Sequence, residues 1–433
     1  MLLNKISNLP QKIFNFLTKE ARTLGKEYGF TKRQSKVTAP SFIKALIVGN
    51  LNPHFSLEQL SSLLRKEKIS ITKQGIHERF NEATVKWLAA LSNACLNHFK
   101  AEKMSAIKGL KGFSHINIVD SSTISLPSIF NTLFKGSGGA ASDAALKIQV
   151  MFDYLEGQIK ALTLTDGCHN DQGFDHYFRE VEKDALYLMD LGYFKLSSFQ
   201  KIIDGGAFFV TRFRTKTTLF QTDHQPIDLL KTLSNAGALF SQPVLLGAKD
   251  KIPVRIVATR LPSQIAEQRR HKLKEGLRRR GMKPSKEALA LQDWSIYITN
   301  TLKTQITDED IHQTYALRWQ IELFFKLSKS LMKINHFRTH KSTRLLTEIY
   351  SKFITMMLFF LLCNPVRIHL AKDISFYKSC ALLLFKSALL TKAFSSLYRL
   401  KLFIADFFED LALFAVKETK TKFLANPFPG DCF

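Results

Sequence analysis

The stretch HINIVDSSTISL, His115 to Leu126, decides the fold. Apolar and polar residues alternate along it at period two, so it reads as a strand leading into a turn or a second strand. Downstream, KGSGGAASDAA (Lys135 to Ala145) is a small-residue loop. ALKIQVMFDYLEGQIKALTLTDG then reads as a hairpin turning at Glu156-Gly157. DQGFDHYFREVEKD suggests a helix, ALYLMD a short buried strand, LSSFQKIID another helix, and GAFFVTRFR a further strand. Three antiparallel strands followed by alternating helix and strand make an α/β pattern around a mixed sheet.

Outward from this core, residues 1–112 read as a helical DNA-binding domain. Ser56-Leu-Glu-Gln59 has the form of a capping box, and Thr72 stands where it can cap KQGIHERFN. The pair has a helix–turn–helix outline, with Lys73, Gln74, His77 and Arg79 on the second helix; many such pairs are only structural. Residues 113–213 read as the first part of an α/β core. Residues 214–302 interrupt it with strand-like IPVRIVATRL and DWSIYITN, separated by the basic EQRRHKLKEGLRRRGMKPSKEALA. Residues 303–340 return to the core, and 341–433 are helical patterns rich in Leu and Phe.

The chain has 433 residues, too many for one ordinary domain, and 62 Lys and Arg against 37 Asp and Glu leave a net +25. That charge calls for a polyanionic partner, nucleic acid first and an anionic membrane second. A membrane span is not expected: the most apolar run, ITMMLFFLLC, is about half of the ~20 residues required, and Lys352 precedes it. MLLNKISNLPQKIFNF lacks the uninterrupted apolar core of a signal peptide. Cys95, Cys168, Cys363, Cys380 and Cys432 are odd in number and never spaced CxxC, as ordinary thiols of a reducing cytosol are.

Two aspartates stand where a buried strand is expected to end: Asp120 closes INIVD and Asp190 closes YLMD. Either alone is most simply a turn former or cap. A third acid lies in YALRWQIELFFKLSK, which reads as one amphipathic helix. Tyr315, Arg318, Glu322 and Lys329 share an arc of roughly 60°, opposite Leu317, Ile321, Phe324 and Leu331. A solvated face with i,i+4 ion pairs is the plain alternative. Three carboxylates can instead hold two Mg²⁺ or Mn²⁺ ions for in-line displacement at phosphorus, with Arg318, Lys329 and Tyr315 holding phosphates beside them. Asp153, Asp166 and Asp171 read as structural, Asp171 as a helix cap. His336 and His340 lack a third ligand for zinc and more plausibly extend a phosphate surface with Arg338 and Lys341.

Tyr315, Arg318, Glu322 and Lys329 fill Y-x2-R-x3-E-x6-K, and VDSSTISLP, DLGYF and FFVTRFR stand in order before them. Over residues 40 to 345 the chain resembles bacterial insertion-sequence transposases of the DDE type, the family typified by insertion sequence four, with its YREK signature. The resemblance implies a ribonuclease H-like mixed-sheet core interrupted by a mostly β insertion and flanked by helical regions. It implies Asp120, Asp190 and Glu322 as catalytic acids and ligands of two Mg²⁺ ions. It also implies cutting at terminal inverted repeats, a hairpin intermediate, and joining to target DNA by a homodimer in the bacterial cytoplasm, without a membrane partner. Trp294 matches an aromatic that stacks on a flipped base in relatives; a tryptophan packed in the insertion's own core is the alternative. Leu191 departs from the arginine or small residue that often follows the second aspartate, which bears on a strand-end contact and not on metal ligation. A metal-dependent nuclease on the same scaffold and a catalytically silent DNA-binding descendant are the rival functions.

Overall fold

The computed structural model describes residues 8–52, 55–98, 110, 112–139, 142–330, 333–337, 339–370 and 374–417. Its strands are β1 (Ile116–Leu126), β2 (Ala144–Asp153), β3 (Gln158–Asp166), β4 (Leu186–Met189), β5 (Phe208–Arg212), β6 (Leu219–Phe220), β7 (Leu239–Leu246), β8 (Ile252–Arg260) and β9 (Trp294–Thr299). They form one sheet in the order β3-β2-β1-β4-β5-β9-β8-β7-β6. The β1–β4 and β4–β5 pairs are parallel, and the remaining pairs are antiparallel. The expected insertion therefore joins the core sheet, because β9 pairs with β5 from Val210↔Thr299 to Arg212↔Tyr297.

Alternation along β1 splits the interior in two. Ile116, Ile118 and Ile124 enter one core with the N-terminal helices, the Glu322 helix and the long helix Ser342–Leu370. Val119 enters the other with Tyr187, Met189, Phe199 and Trp294. The hairpin turns where expected, Gly157 supplying a φ of +64°. Ser56 and Thr72 cap helices Leu57–Lys66 and Lys73–Arg79, and Ser56 with Gln59 completes the capping box. Lys73 and Gln74 are exposed, whereas Arg79 is drawn into contacts with Ser35 and the Phe30 ring.

Three local expectations need correction. DQGFDHYFREVEKD is not a helix but two 3-10 turns, Asp171–Gly173 and His176–Phe178, separated by an extended Phe174. Its helix-like aromatic spacing instead drops Phe174, Tyr177 and Phe178 into the second core. β1 does not end at Asp120; pairing with β2 continues to Leu126. Tyr315 to Lys329 is two helices, Ile311–Ala316 and Trp319–Ser330, broken at Leu317 and Arg318. Leu331, Arg338 and Cys432 lie outside the described residues.

Among the described residues one segment, Ser342–Arg367, is long and apolar enough to cross a membrane, which the ten-residue apolar run did not announce. Of its apolar window, 78% is buried inside the protein, as in a core helix. Lys352 on this helix is nearly buried and donates to the carbonyls of Lys333 (2.7 Å) and His336 (3.2 Å). It thereby ties down the chain that leaves the Glu322 helix.

Burial pushes the Lys352 ammonium down from 10.5 to about 8. Between those values the unfolded chain holds a proton that the folded chain has released, so this group's contribution to stability rises with pH across that window. The melting-temperature difference between the parent and Lys352→Met should therefore move in the parent's favour from about pH 8 to about pH 10.5. A difference that stays flat by calorimetry contradicts the burial argument.

Candidate active site

The parallel β1–β4 ladder ends at Val119↔Met189, and the next residue on each strand is an aspartate. Adjacent strands lie ~4.8 Å apart and same-parity residues share a face, so Asp120 and Asp190 stand as neighbours on the face of Ile118 and Leu188. Asp190 opens the 3-10 turn Leu191–Tyr193, yet its side chain caps nothing there. The turn-former alternative thus leaves that carboxylate unused. Asp120 Oδ1 accepts the Ser121 N–H at 2.7 Å, and its Oδ2 accepts Arg318 Nη1 at 2.9 Å.

Arg318 is the centre of the group. It lies at the helix break, its side chain 14% exposed, and its two ends contact Asp120 and Glu322. Burial opposes its charge, but Tyr315, Asp190, Asp120 and Glu322 outweigh that and hold its pKa above the ordinary arginine value. Among the described residues its buried Nε meets no hydrogen-bond partner. Asp120 is pushed up to about 7, chiefly by burial, with Arg318 and the Ser121 N–H pulling it back and Asp190 and Glu322 adding to the rise.

Tyr315 is buried, with Arg212 and Arg318 over its ring at 5.5 and 5.7 Å. Its hydroxyl reaches Asp190 Oδ1 at 3.5 Å. Burial raises its pKa, so it acts as a neutral hydrogen-bonding group. Lys329, in the last turn of the Glu322 helix, donates to the carbonyl of Thr123 on β1 at 3.1 Å, and partial burial lowers its pKa. The structure thus gathers Asp120, Asp190, Tyr315, Arg318 and Glu322, with Lys329 flanking them.

Trp294 is not in this group. The residue is 7% exposed in the second core, with Arg260 over its ring at 5.7 Å, so stacking on a base requires that cover to lift. Part of the basic run is spent on the same strand: Arg269 donates to the Trp294 carbonyl and Ser295 Oγ, and Arg270 pairs with Asp293. His336 and His340 are exposed.

Among the described residues, the group of three ligand atoms within 4.8 Å of one another is His115, Asp153 and Glu156, at the start of β1. These residues are satisfied locally. Asp153 Oδ1 accepts the Leu155 and Glu156 N–H groups, its Oδ2 meets His115, and Gln158 donates to Glu156. They lock the β2–β3 turn. Asp120, Asp190 and Glu322 do not converge that tightly, with the Arg318 guanidinium reaching between Asp120 and Glu322. Their donor set, carboxylate oxygens alone, fits hard divalent cations.

Residues 111–358 match the family described as the transposase DDE domain. The chain belongs to that family. It is similar to the transposase for insertion sequence element IS1151 of Clostridium perfringens, 26% identical over 372 residues, covering 79% of this chain and 78% of that protein. The transposase for IS231C of Bacillus thuringiensis subsp. berliner is 29% identical over 359 residues, 77% and 75% of the two chains. A putative transposase InsL for IS186A of Escherichia coli (strain K12) is 23% identical over 244 residues, 54% of this chain and 62% of that one. A piggyBac transposase synaptic complex with hairpin DNA aligns at TM-score 0.45 and 12% identity, over 95% of this chain and 87% of that chain.

Two residues that support this candidate site escaped sequence reasoning. Arg212 on β5 covers Tyr315, and Asp171 accepts bonds from Ser121, Lys147 and Gln149 instead of capping a helix. No local spacing announces either contact, since both depend on which strands become neighbours.

Removing one partner of a buried ion pair costs about 3–5 kcal/mol. Arg318→Ala should therefore lower stability in chelator at pH 8 by about 3 kcal/mol, with partial recovery in Arg318→Lys, measured by urea unfolding. Equal stability of Arg318→Ala and the parent would mean that solvent neutralises these acids instead.

Proposed function

We propose that this DDE transposase cuts at the terminal inverted repeats of an insertion sequence and joins the ends to target DNA, by phosphoryl transfer at Asp120, Asp190 and Glu322. The observation that carries the reading is the Arg318 contact with both Asp120 and Glu322, in a group that Asp190 influences electrostatically. The core is read as ribonuclease H-like, and Tyr315, Arg318, Glu322 and Lys329 as the YREK signature.

Asp120, Asp190 and Glu322 would hold two Mg²⁺ or Mn²⁺ ions, whose chemistry is to polarise the attacking and leaving oxygens of an in-line displacement. The protein's own contribution is placement. Tyr315 orients Asp190 from a buried position, and Arg318 and Lys329 offer a forked donor and a point charge to phosphates. Strand cutting, hairpin formation and strand transfer are each a displacement at phosphorus, so one site serves all of them. The helix Lys73–Arg79 and the basic helix Ser263–Arg278 supply surfaces for double-stranded DNA, and a homodimer would pair the two ends. The protein would act in the bacterial cytoplasm, at the nucleoid. A nuclease on the same scaffold, or a silent DNA-binding descendant, is the alternative; the presence of all three acids favours catalysis over the latter.

With Mg²⁺ and DNA carrying the element's inverted repeats, the parent should cleave at the ends. Asp120→Ala, Asp190→Ala and Glu322→Ala should each abolish cleavage while retaining binding in gel-shift assays. Cleavage surviving any of the three ends this mechanism.

Trp294→Ala should cost about 3–5 kcal/mol as a buried aromatic truncation. At a temperature where the variant stays folded, a base-stacking role predicts weakened hairpin formation with nicking largely kept. Equal loss of both steps leaves Trp294 a packing residue.

A further inference from the structure

Asp171 lies in the 3-10 turn Asp171–Gly173, beyond the end of β3. Its Oδ1 accepts three bonds: from Ser121 Oγ at 3.0 Å, Lys147 Nζ at 3.1 Å and Gln149 Nε2 at 3.1 Å. Ser121 faces Gln149 across the β1–β2 ladder, and Lys147 stands two positions along β2. These three donors therefore share a sheet face, opposite to the one that carries Asp120. The Asp171 charge is balanced by Lys147, whose ammonium also reaches the His169 carbonyl.

Ser121 is the residue after Asp120 and is held at both ends. Its hydroxyl is on Asp171 while its N–H is on Asp120 Oδ1 at 2.7 Å. Fixing one fixes the peptide that orients the other. The second aspartate is tied to the same point. Gly192, two residues beyond Asp190, packs so closely that an added Cβ would stand 3.2 Å from Asp171 Oδ2 and 3.5 Å from Asp171 Cβ. Tyr193 beside it is buried and bonds Gln149 Oε1, the amide whose nitrogen donates to Asp171. Gln172 adds a bond to the Phe194 carbonyl at 3.2 Å.

We propose that Asp171 is a positioning residue for catalysis, holding the segments that bear Asp120 and Asp190 in mutual register from behind the sheet. The proposal rests on the reading of those two aspartates as metal-holding acids. Asp171 touches neither substrate nor metal; it acts through Ser121 and the Leu191–Tyr193 turn. Outer partners of metal-holding carboxylates change affinity or rate by about 10- to 100-fold when removed.

The test uses the full chain and two readouts: Mn²⁺ binding by electron paramagnetic resonance without DNA, and nicking of inverted-repeat DNA across a Mg²⁺ titration. Asp171→Asn should weaken Mn²⁺ binding about 10-fold and raise half-saturating Mg²⁺ by a similar factor, with DNA affinity unchanged. Ser121→Ala, which keeps the N–H on Asp120, should shift both in the same direction by less. Gly192→Ala, which presses on Asp171 without altering charge, should also weaken Mn²⁺ binding. Should Asp171→Asn fail to fold, the Ser121 and Gly192 variants decide. Parental Mn²⁺ affinity and Mg²⁺ dependence in the folded variants, with Glu322→Ala inactive, overturn this proposal alone. A parent that binds no Mn²⁺ and cuts no ends overturns the catalytic reading, and the role of Asp171 with it.

Discussion

The register of β1 against β4 is the constraint on which the site depends. Four parallel pairs, from Ile116↔Leu186 to Val119↔Met189, precede the two aspartates. A slip of one residue on either strand would turn one carboxylate to the opposite face of the sheet. That slip is resisted on both sides at once. Ile116, Ile118, Leu186 and Leu188 fill one core, while Val119, Tyr187 and Met189 fill the other. The hydrophobic pattern that stabilises the sheet is thus the same pattern that sets the two acids side by side. β1 then continues along β2 beyond its last β4 partner, so Asp120 is held within an intact ladder while the Asp190 chain turns away.

The third acid arrives from a helix, and the helical path is interrupted between the tyrosine and that acid. In a continuous helix Tyr315 would lie on the polar face with Arg318 and Glu322. With the chain broken at Leu317 and Arg318, the phenol instead enters the core beside Tyr297, their ring centroids 5.2 Å apart. Its hydroxyl is delivered toward Asp190, and Arg318 Nη1 and Nη2 reach Asp120 and Glu322. The long helix supports this arrangement through Lys352, while Thr343 in its first turn and Lys341 just before it donate to the Phe80 and His77 carbonyls at the end of the Lys73–Arg79 helix. The candidate DNA-docking helix and the Glu322 segment are therefore parts of one packed body.

Period two in HINIVDSSTISL, the apolar LYLM and the turn at Gly157 are local signals, and they make strands β1 to β4 legible, though not that β1 runs on past Asp120 to Leu126. What was not legible depends on neighbours distant in the chain. Asp171 looked like a cap because aspartate before a helix-like aromatic pattern usually is one; only the approach of Ser121, Lys147 and Gln149 redirects its carboxylate. The wheel geometry of Tyr315 to Lys329 assumes an unbroken helix, whereas i→i−3 bonds replace the regular pattern around Leu317 and Arg318. Trp294 was open to two readings because the strand pattern is the same whether its ring faces a core or a base. Its position under Arg260 follows from the β8–β9 register, which pairs Arg260 with Trp294.

Charge bears on what this site can accept. Asp120, Asp190 and Glu322 bring three potential negative charges, against which Arg318 is the cation in direct contact with two of them. Burial, with a smaller push from Asp190 and Glu322, holds the Asp120 carboxyl up at about 7 in spite of that guanidinium. A DNA phosphate entering here would add another negative charge in a partly desolvated space, where like charges repel more strongly than in water. If Arg318 turned to that phosphate, it would leave two carboxylates less well compensated; if it stayed, it would be lost to the substrate. If Asp120, Asp190 and Glu322 hold divalent cations, as proposed, those cations would compensate the acids and leave the guanidinium available to the strand. The contact between Arg318 and the acids and its proposed role toward phosphate would then be two uses of one side chain, exchanged when metal binds.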